Sequence, residues 1–105
     1  MAEVNYDIQW TDKSKEDLRQ IYQFLCGLTP EERAFSFVEK LISEADILTN
    51  MPRVGQREPK FEGLEKTYRR LVRGNYKIVY HVADETVYIN RVFHTSQDPE
   101  KLTIE

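Results

Sequence analysis

The sequence predicts an α+β fold: an N-terminal strand, an α-helical hairpin, then a three-stranded antiparallel meander. Three observations predict it. Val4, Tyr6, Ile8 and Trp10 alternate with Asn5, Asp7 and Gln9, the period of a strand with one buried face. Apolar residues then recur at helical spacing in two blocks separated by a few residues, which makes an antiparallel helix pair. The stretch from Thr67 to Pro99 is β-rich and broken at Gly74–Asn75 and again at Ala83 to Glu85, as a meander requires. The simplest home for the first strand is the meander's own sheet, giving about four strands in one sheet with both helices on one face. The opposite face is expected to stay partly open.

Each element has its own signal. Ser14 followed by Asp17 reads as the cap of the first helix, serine accepting from first-turn amides and aspartate meeting the positive helix end. Leu18, Ile21, Tyr22 and Leu25 form its apolar stripe, and Gly27 lies near its stop. The second helix starts with Thr29 as N-cap, Pro30 at the first helical position and Glu31 and Glu32 in the first turn. Ala34, Val38, Leu41, Ala45 and Leu48 repeat along one face, widened by Phe35, Phe37 and Ile42. Asn50 to Glu65 contains Pro52, Gly55, Pro59 and Gly63 without periodicity and reads as a loop, long enough to invite a functional role. In the middle meander strand Tyr76, Ile78, Tyr80 and Val82 share the core side, leaving Lys77, Val79 and His81 on the other.

A chain of 105 residues is expected to form one domain, residues 1–105, around a modest core. Its 40% hydrophobic and 31% charged content is that of a soluble globular protein. No apolar run reaches the roughly 20 residues needed to cross a bilayer, and the start lacks the pattern of a secretory signal, so the expected location is cytoplasmic, with no membrane partner. Cys26 is a lone cysteine read as buried packing. Glycine-rich phosphate loops, a G-x-S-x-G elbow, H-E-x-x-H and cysteine pairs are absent. With only His81 and His94 available, neither a metal site nor a cofactor is expected.

The net charge of −3 conceals an asymmetry. Residues 1–52 hold five basic and ten acidic side chains, residues 53–77 eight and three, and the remainder two and five. One cationic patch can grip an anionic target, but general attraction to nucleic acid is not supported. The candidates for target binding are Arg69, Arg70, Arg73 and Lys77; the weak alternation of their strand leaves open which arginines share a face. His94, at the end of the last strand, is the candidate proton donor or acceptor, with Arg69 or Lys77 stabilising a phosphate. The plainer reading of His94, beside Thr95, Ser96 and Asp98, is that it hydrogen-bonds the chain as it leaves the sheet. For the arginines, the plainer reading is a sheet edge kept basic against edge-to-edge pairing. His81, in mid-strand, reads as structural.

The order of elements, together with Pro52-x-x-Gly55, Tyr68-Arg69, Leu71, Gly74-x-Tyr76-Lys77-Ile78-x-Tyr80 and Val92-x-His94, resembles the RelE/ParE superfamily of bacterial type II toxins, the plasmid stabilisation type, over roughly residues 4–99. The resemblance implies a toxin neutralised by a co-expressed antitoxin laid across the helical hairpin and sheet. Leu18, Ile21, Leu25, Val38, Leu41 and Leu48 would then line the antitoxin groove. RelE-like members are ribosome-dependent endoribonucleases that cleave mRNA; ParE-like members bind DNA gyrase. By resemblance Arg69 matches a basic position of the first meander strand, Lys77 the arginine of a Tyr-Arg pair, and His94 a histidine of several members. Those three would be catalytic only in a RelE-like chain. Leu71 stands where the strongest nuclease pattern has lysine, and the tail after the last strand lacks that pattern's arginine and tyrosine. With the net negative charge, these departures favour a ParE-like gyrase binder over the alternatives, an mRNA interferase or a degenerate toxin that only binds its antitoxin.

Overall fold

A computed structural model describes residues 5–97 and residue 104. Val4, Asp98 and Pro99 lie outside the described residues. The elements are β1 (Asp7–Trp10), α1 (Asp12–Cys26), α2 (Glu31–Glu44), β2 (Gln56–Arg57), β3 (Arg69–Arg73), β4 (Tyr76–Ala83) and β5 (Thr86–His94). A 3₁₀ turn, Ala45–Thr49, extends α2, and another, Pro59–Phe61, follows β2. The strands form one mixed sheet in the order β1-β5-β4-β3-β2. β1 lies parallel to β5, while the remaining pairs are antiparallel.

The sheet therefore has five strands, one more than the sequence pattern suggests. β2 is the addition, a two-residue strand in which Gln56 opposes Arg70 and Arg57 opposes Arg69. So short a segment cannot show a period of two, which is why it reads as loop.

Thr11, not Ser14, caps α1. Its extended backbone ends β1, and its hydroxyl oxygen accepts from the Ser14 amide at 3.2 Å. The same hydroxyl reaches the carbonyls of Ile89 at 2.9 Å and Asn90 at 3.2 Å. Ser14 is buried in the first turn and donates its hydroxyl to the Thr11 carbonyl at 2.7 Å. A residue joining strand to helix next to a sheet edge is worth more as Thr11 than as Ser14, because it satisfies groups of both elements at once. For α2 the assigned cap is Pro30, one residue after the expected Thr29, without a side-chain cap; Glu31 and Glu32 supply negative charge to the first turn. Tyr22 donates to Glu31 at 2.8 Å, joining the two helices. Cys26 is exposed rather than buried, because the last turn of α1 runs past the sheet with Phe24 also open to solvent.

The main core lies between the helices and one sheet face. Leu18 and Ile21 from α1 and Leu41, Ala45 and Leu48 from the α2 segment meet Leu71, Tyr76, Ile78, Tyr80, Val87, Ile89 and Val92. The opposite face carries a smaller cluster, Phe61, Tyr68, Val79, Phe93 and Ile104, so the Pro59–Phe61 turn covers part of the side expected to be open.

β5 changes face partway along. Val79 pairs with Arg91 but Tyr80 with Ile89, so Asn90 is an extra residue. This bulge puts Val87, Ile89 and Val92 on the same core despite their uneven spacing. It also frees Arg91 to reach α1: its Nε and Nη2 donate to the two Asp17 carboxylate oxygens at 2.8 and 2.9 Å, and Val92 N–H donates to Asp17 at 2.8 Å. Asp17 thus bolts α1 to the sheet, a more specific task than meeting a helix dipole.

Candidate functional site

Strand pairing divides the basic residues between two faces. Arg69 and Arg73 share the helix-bearing side with Leu71, while Arg70 and Val72 alternate to the other. Lys77 also faces away from the helices, since its neighbours Tyr76 and Ile78 are in the main core.

On that far face sits Glu58, whose side chain is 0% exposed. Arg70 donates to its Oε2 at 2.9 Å, and Lys77 Nζ lies 3.8 Å from its Oε1. Burial in a low-dielectric site makes such a carboxylate stable only with its cations in place. On the helix side Arg73 Nε lies 3.4 Å from Glu44 of α2. Much of the basic segment is therefore neutralised within the chain.

His94 lies elsewhere again. It opposes Tyr76, which opposes Arg73, whereas Arg69 opposes Tyr80. Four residues of β4 separate these two rows, roughly 13 Å at strand rise. Lys77, packed 6.0 Å from the Phe93 ring, is on the opposite face. The three residues expected to act together, His94, Arg69 and Lys77, are not brought to one point.

His94 instead borders a cleft of about 490 Å³ between α1 and the end of β5, with Asp17, Gln20, Ile21, Phe24, Tyr76, Arg91 and Gln97 among its walls. The Ser96 amide donates to His94 Nδ1 at 3.1 Å, and the Ser96 hydroxyl lies 2.7 Å from the same nitrogen. Nδ1 is thereby an acceptor, so the neutral ring carries its proton on Nε2. In this arrangement Nε2 donates rather than abstracts. The Tyr76 ring stands edge-on to His94 at 5.3 Å, and burial pushes its phenol pKa up. The cleft offers donors and apolar surface for recognition. His81 is buried, with Nδ1 2.8 Å from Asn90 Oδ1 and its ring stacked on Tyr88; burial, then the nearby Lys66, lower its pKa, while the Asn90 bond raises it.

The residues expected to line an antitoxin groove are largely enclosed. Leu18, Ile21, Leu41 and Leu48 are packed in the main core, and Leu25 and Val38 are partly buried against it. The large apolar side chains that the helical hairpin leaves exposed are Phe24, Leu28, Phe35, Phe37 and Ile42, with Phe24 at 64% and Phe35 at 54%. A stripe wider than the core needs was visible at Phe35, Phe37 and Ile42, and it marks the accessible side. Glu58 and the Asp17–Arg91 bond had no local signal, because their partners are fixed by strand pairing and by the bulge. No group of side chains suited to hold a metal occurs among the described residues, and no described helix is long and apolar enough to cross a membrane.

The domain thus combines an apolar, exposed helical flank with a basic segment half of whose cations are paired within the chain. The family described as ParE toxin of type II toxin–antitoxin system, parDE, matches residues 8–99. This chain belongs to that family and is a toxin of type II toxin–antitoxin systems, with an antitoxin as its partner. Among solved structures it is similar to the chromosomal ParDE toxin–antitoxin system from P. aeruginosa, at a TM-score of 0.72 and 21% identity over 89% of this chain and 98% of that one. The toxin–antitoxin complex RelBE2 from Mycobacterium tuberculosis gives 0.54 and 24%, over 91% of this chain and 98% of that one. A double arginine mutant of E. coli toxin RelE in the free state gives 0.56 and 15%, over 88% and 85%. At these identities the likeness is one of fold. No curated protein matches this chain.

Proposed function

We propose that this toxin acts by binding DNA gyrase, not by cutting RNA, and that its antitoxin neutralises it by covering the helical hairpin. The observation that carries this reading is the dispersal of the candidate nuclease residues. Lys77 is engaged by buried Glu58 on one face, and Arg69 lies in a different strand row from His94. Acid–base cleavage of a phosphodiester needs proton-transfer groups and cations within hydrogen-bond reach of one phosphate. Binding has no such requirement. The family's description as the toxin of parDE supports the same side of the choice.

Target recognition falls to the cleft beside His94 and to Arg69 on the helix side, with Arg73 taking part only if Glu44 gives way. Arg70 and Lys77, expected as target contacts, take that role only if Glu58 gives way. Induction of the toxin without its antitoxin tests the reading. Loss of negative supercoiling before any fall in translation is the expected order. Transcripts cut at ribosome-bound codons, with cutting abolished by His94→Ala, would favour the ribosome-dependent nuclease instead. A growth-neutral chain that still captures its antitoxin would be the degenerate toxin.

A further inference from the structure

We propose that Arg53, Lys66 and Arg69 form a binding site for a phosphate group. The site is a pocket of about 330 Å³ at the end of the sheet where β3 begins and β4 ends, with His81 as one wall. It is separate from the Glu58 cluster and from the His94 cleft.

The first argument is charge pairing. Of the eight cations between residues 53 and 77, Arg57, Arg70, Arg73 and Lys77 each have a carboxylate within 4.0 Å. Among the described residues, Arg53, Lys60, Lys66 and Arg69 have no such ion pair. Lys60 stands outside the pocket, and the other three line it. The chain thus supplies its own anion to half of the basic segment and gathers three of the rest around one space.

The second argument is rigidity. Arg69 Nη1 donates to the Gly55 carbonyl at 2.9 Å, and Gly55 N–H donates to the Tyr80 hydroxyl at 2.9 Å. A side chain at residue 55 would bring its Cβ within 2.6 Å of the Arg70 carbonyl oxygen and 2.7 Å of the Tyr80 hydroxyl. Only glycine permits that approach, which fixes the chain two residues after Arg53 against the Arg69 guanidinium. Arg69 is thereby positioned before any ligand arrives, lowering the ordering cost of binding, while Arg53 and Lys66 reach the same pocket from exposed positions.

The third argument is that Arg53 and Arg69 both act on one group, and Lys66 on its sequence neighbour in the pocket wall. Burial raises the Tyr80 phenol pKa, and the Gly55 bond, Arg69 and Arg53 all pull it down. Lys66 acts on the neighbouring His81 ring. Two guanidinium groups and an ammonium around one space match the several acceptor oxygens of phosphate better than a single carboxylate.

The phosphate can come from a small phosphorylated ligand or from a nucleic-acid backbone, and a two-armed titration separates them. Isotope-labelled protein is titrated with inorganic phosphate, against chloride at matched ionic strength, and in parallel with a short single-stranded DNA oligonucleotide. His81 ring and Arg69 amide signals are expected to shift saturably with phosphate. Arg53→Gln and Lys66→Gln should each weaken binding about tenfold, Lys66→Arg should retain it, and Lys60→Gln should leave it unchanged. Tighter binding of the oligonucleotide, with the same losses, assigns the site to a nucleic-acid phosphate; weaker or equal binding assigns it to a small ligand. Shifts that match those of chloride, or unaltered affinity in both Gln variants, overturn the proposal. Arg53 and Lys66 are exposed, so both variants are expected to fold.

Discussion

Glu58 changes what the basic segment means, because a fully buried carboxylate takes up two of the four cations expected to meet a target. Its Oε1 has no hydrogen-bond partner beyond the 3.8 Å approach of Lys77, and Arg70 Nε is likewise buried without one. Removing one partner of a buried pair leaves the other uncompensated, so Glu58→Ala is expected to destabilise the domain by about 3 kcal/mol, read from denaturant unfolding. A change within experimental scatter would mean the cations are already solvated. His81 gives a second prediction. Burial holds its pKa below the ordinary value of 6.5, so the folded state binds a proton less readily than the unfolded chain. Stability is therefore full above pH 6.5 and falls as pH drops through that value towards the folded pKa. Thermal melting of the wild type should show this acid-side loss, and His81→Gln should flatten it. Equal slopes in the two proteins would place the proton elsewhere.

At the scale of elements, the strand, the hairpin and the meander were legible because each carries its period over enough residues. β2 and the β5 bulge were not. Both are set by pairing with a distant strand, and a bulge breaks the alternation by which a strand is recognised. The cap of α1 was misplaced for a related reason: Ser14 has cap chemistry, yet Thr11 also satisfies the Ile89 and Asn90 carbonyls, a reward visible only once β1 lies beside β5. The candidate site was legible as a composition and not as an arrangement. Arg69, Arg70, Arg73 and Lys77 are adjacent in sequence and lie on two faces, because a strand turns successive residues to opposite sides. The helical hairpin carries its own prediction. Phe24 and Phe35 are exposed and outside the core, so Phe24→Glu and Phe35→Glu should weaken antitoxin binding by at least about tenfold while leaving the melting temperature nearly unchanged. Undiminished capture of the antitoxin by the double variant would move the docking surface off the helices.

Across the whole molecule, charge and packing point the same way. The acidic first half supplies the helices and the basic segment supplies the sheet edge; Glu44 and Arg73 join them at 3.4 Å. The net charge of −3 leaves little general attraction to RNA, and His94, Arg69 and Lys77 do not meet. On the proposed reading, recognition is divided among separate surfaces: exposed aromatic side chains on the hairpin, a cleft beside His94 and a cationic pocket at the sheet end. The most direct measurement of the central claim is a supercoiling assay with purified gyrase, relaxed plasmid and increasing toxin, repeated after mixing with antitoxin. The account predicts dose-dependent inhibition that the antitoxin reverses and that His94→Ala does not abolish by loss of chemistry. Full supercoiling at a large molar excess of toxin over a susceptible gyrase, with messenger RNA cut on ribosomes by the same preparation, would contradict it.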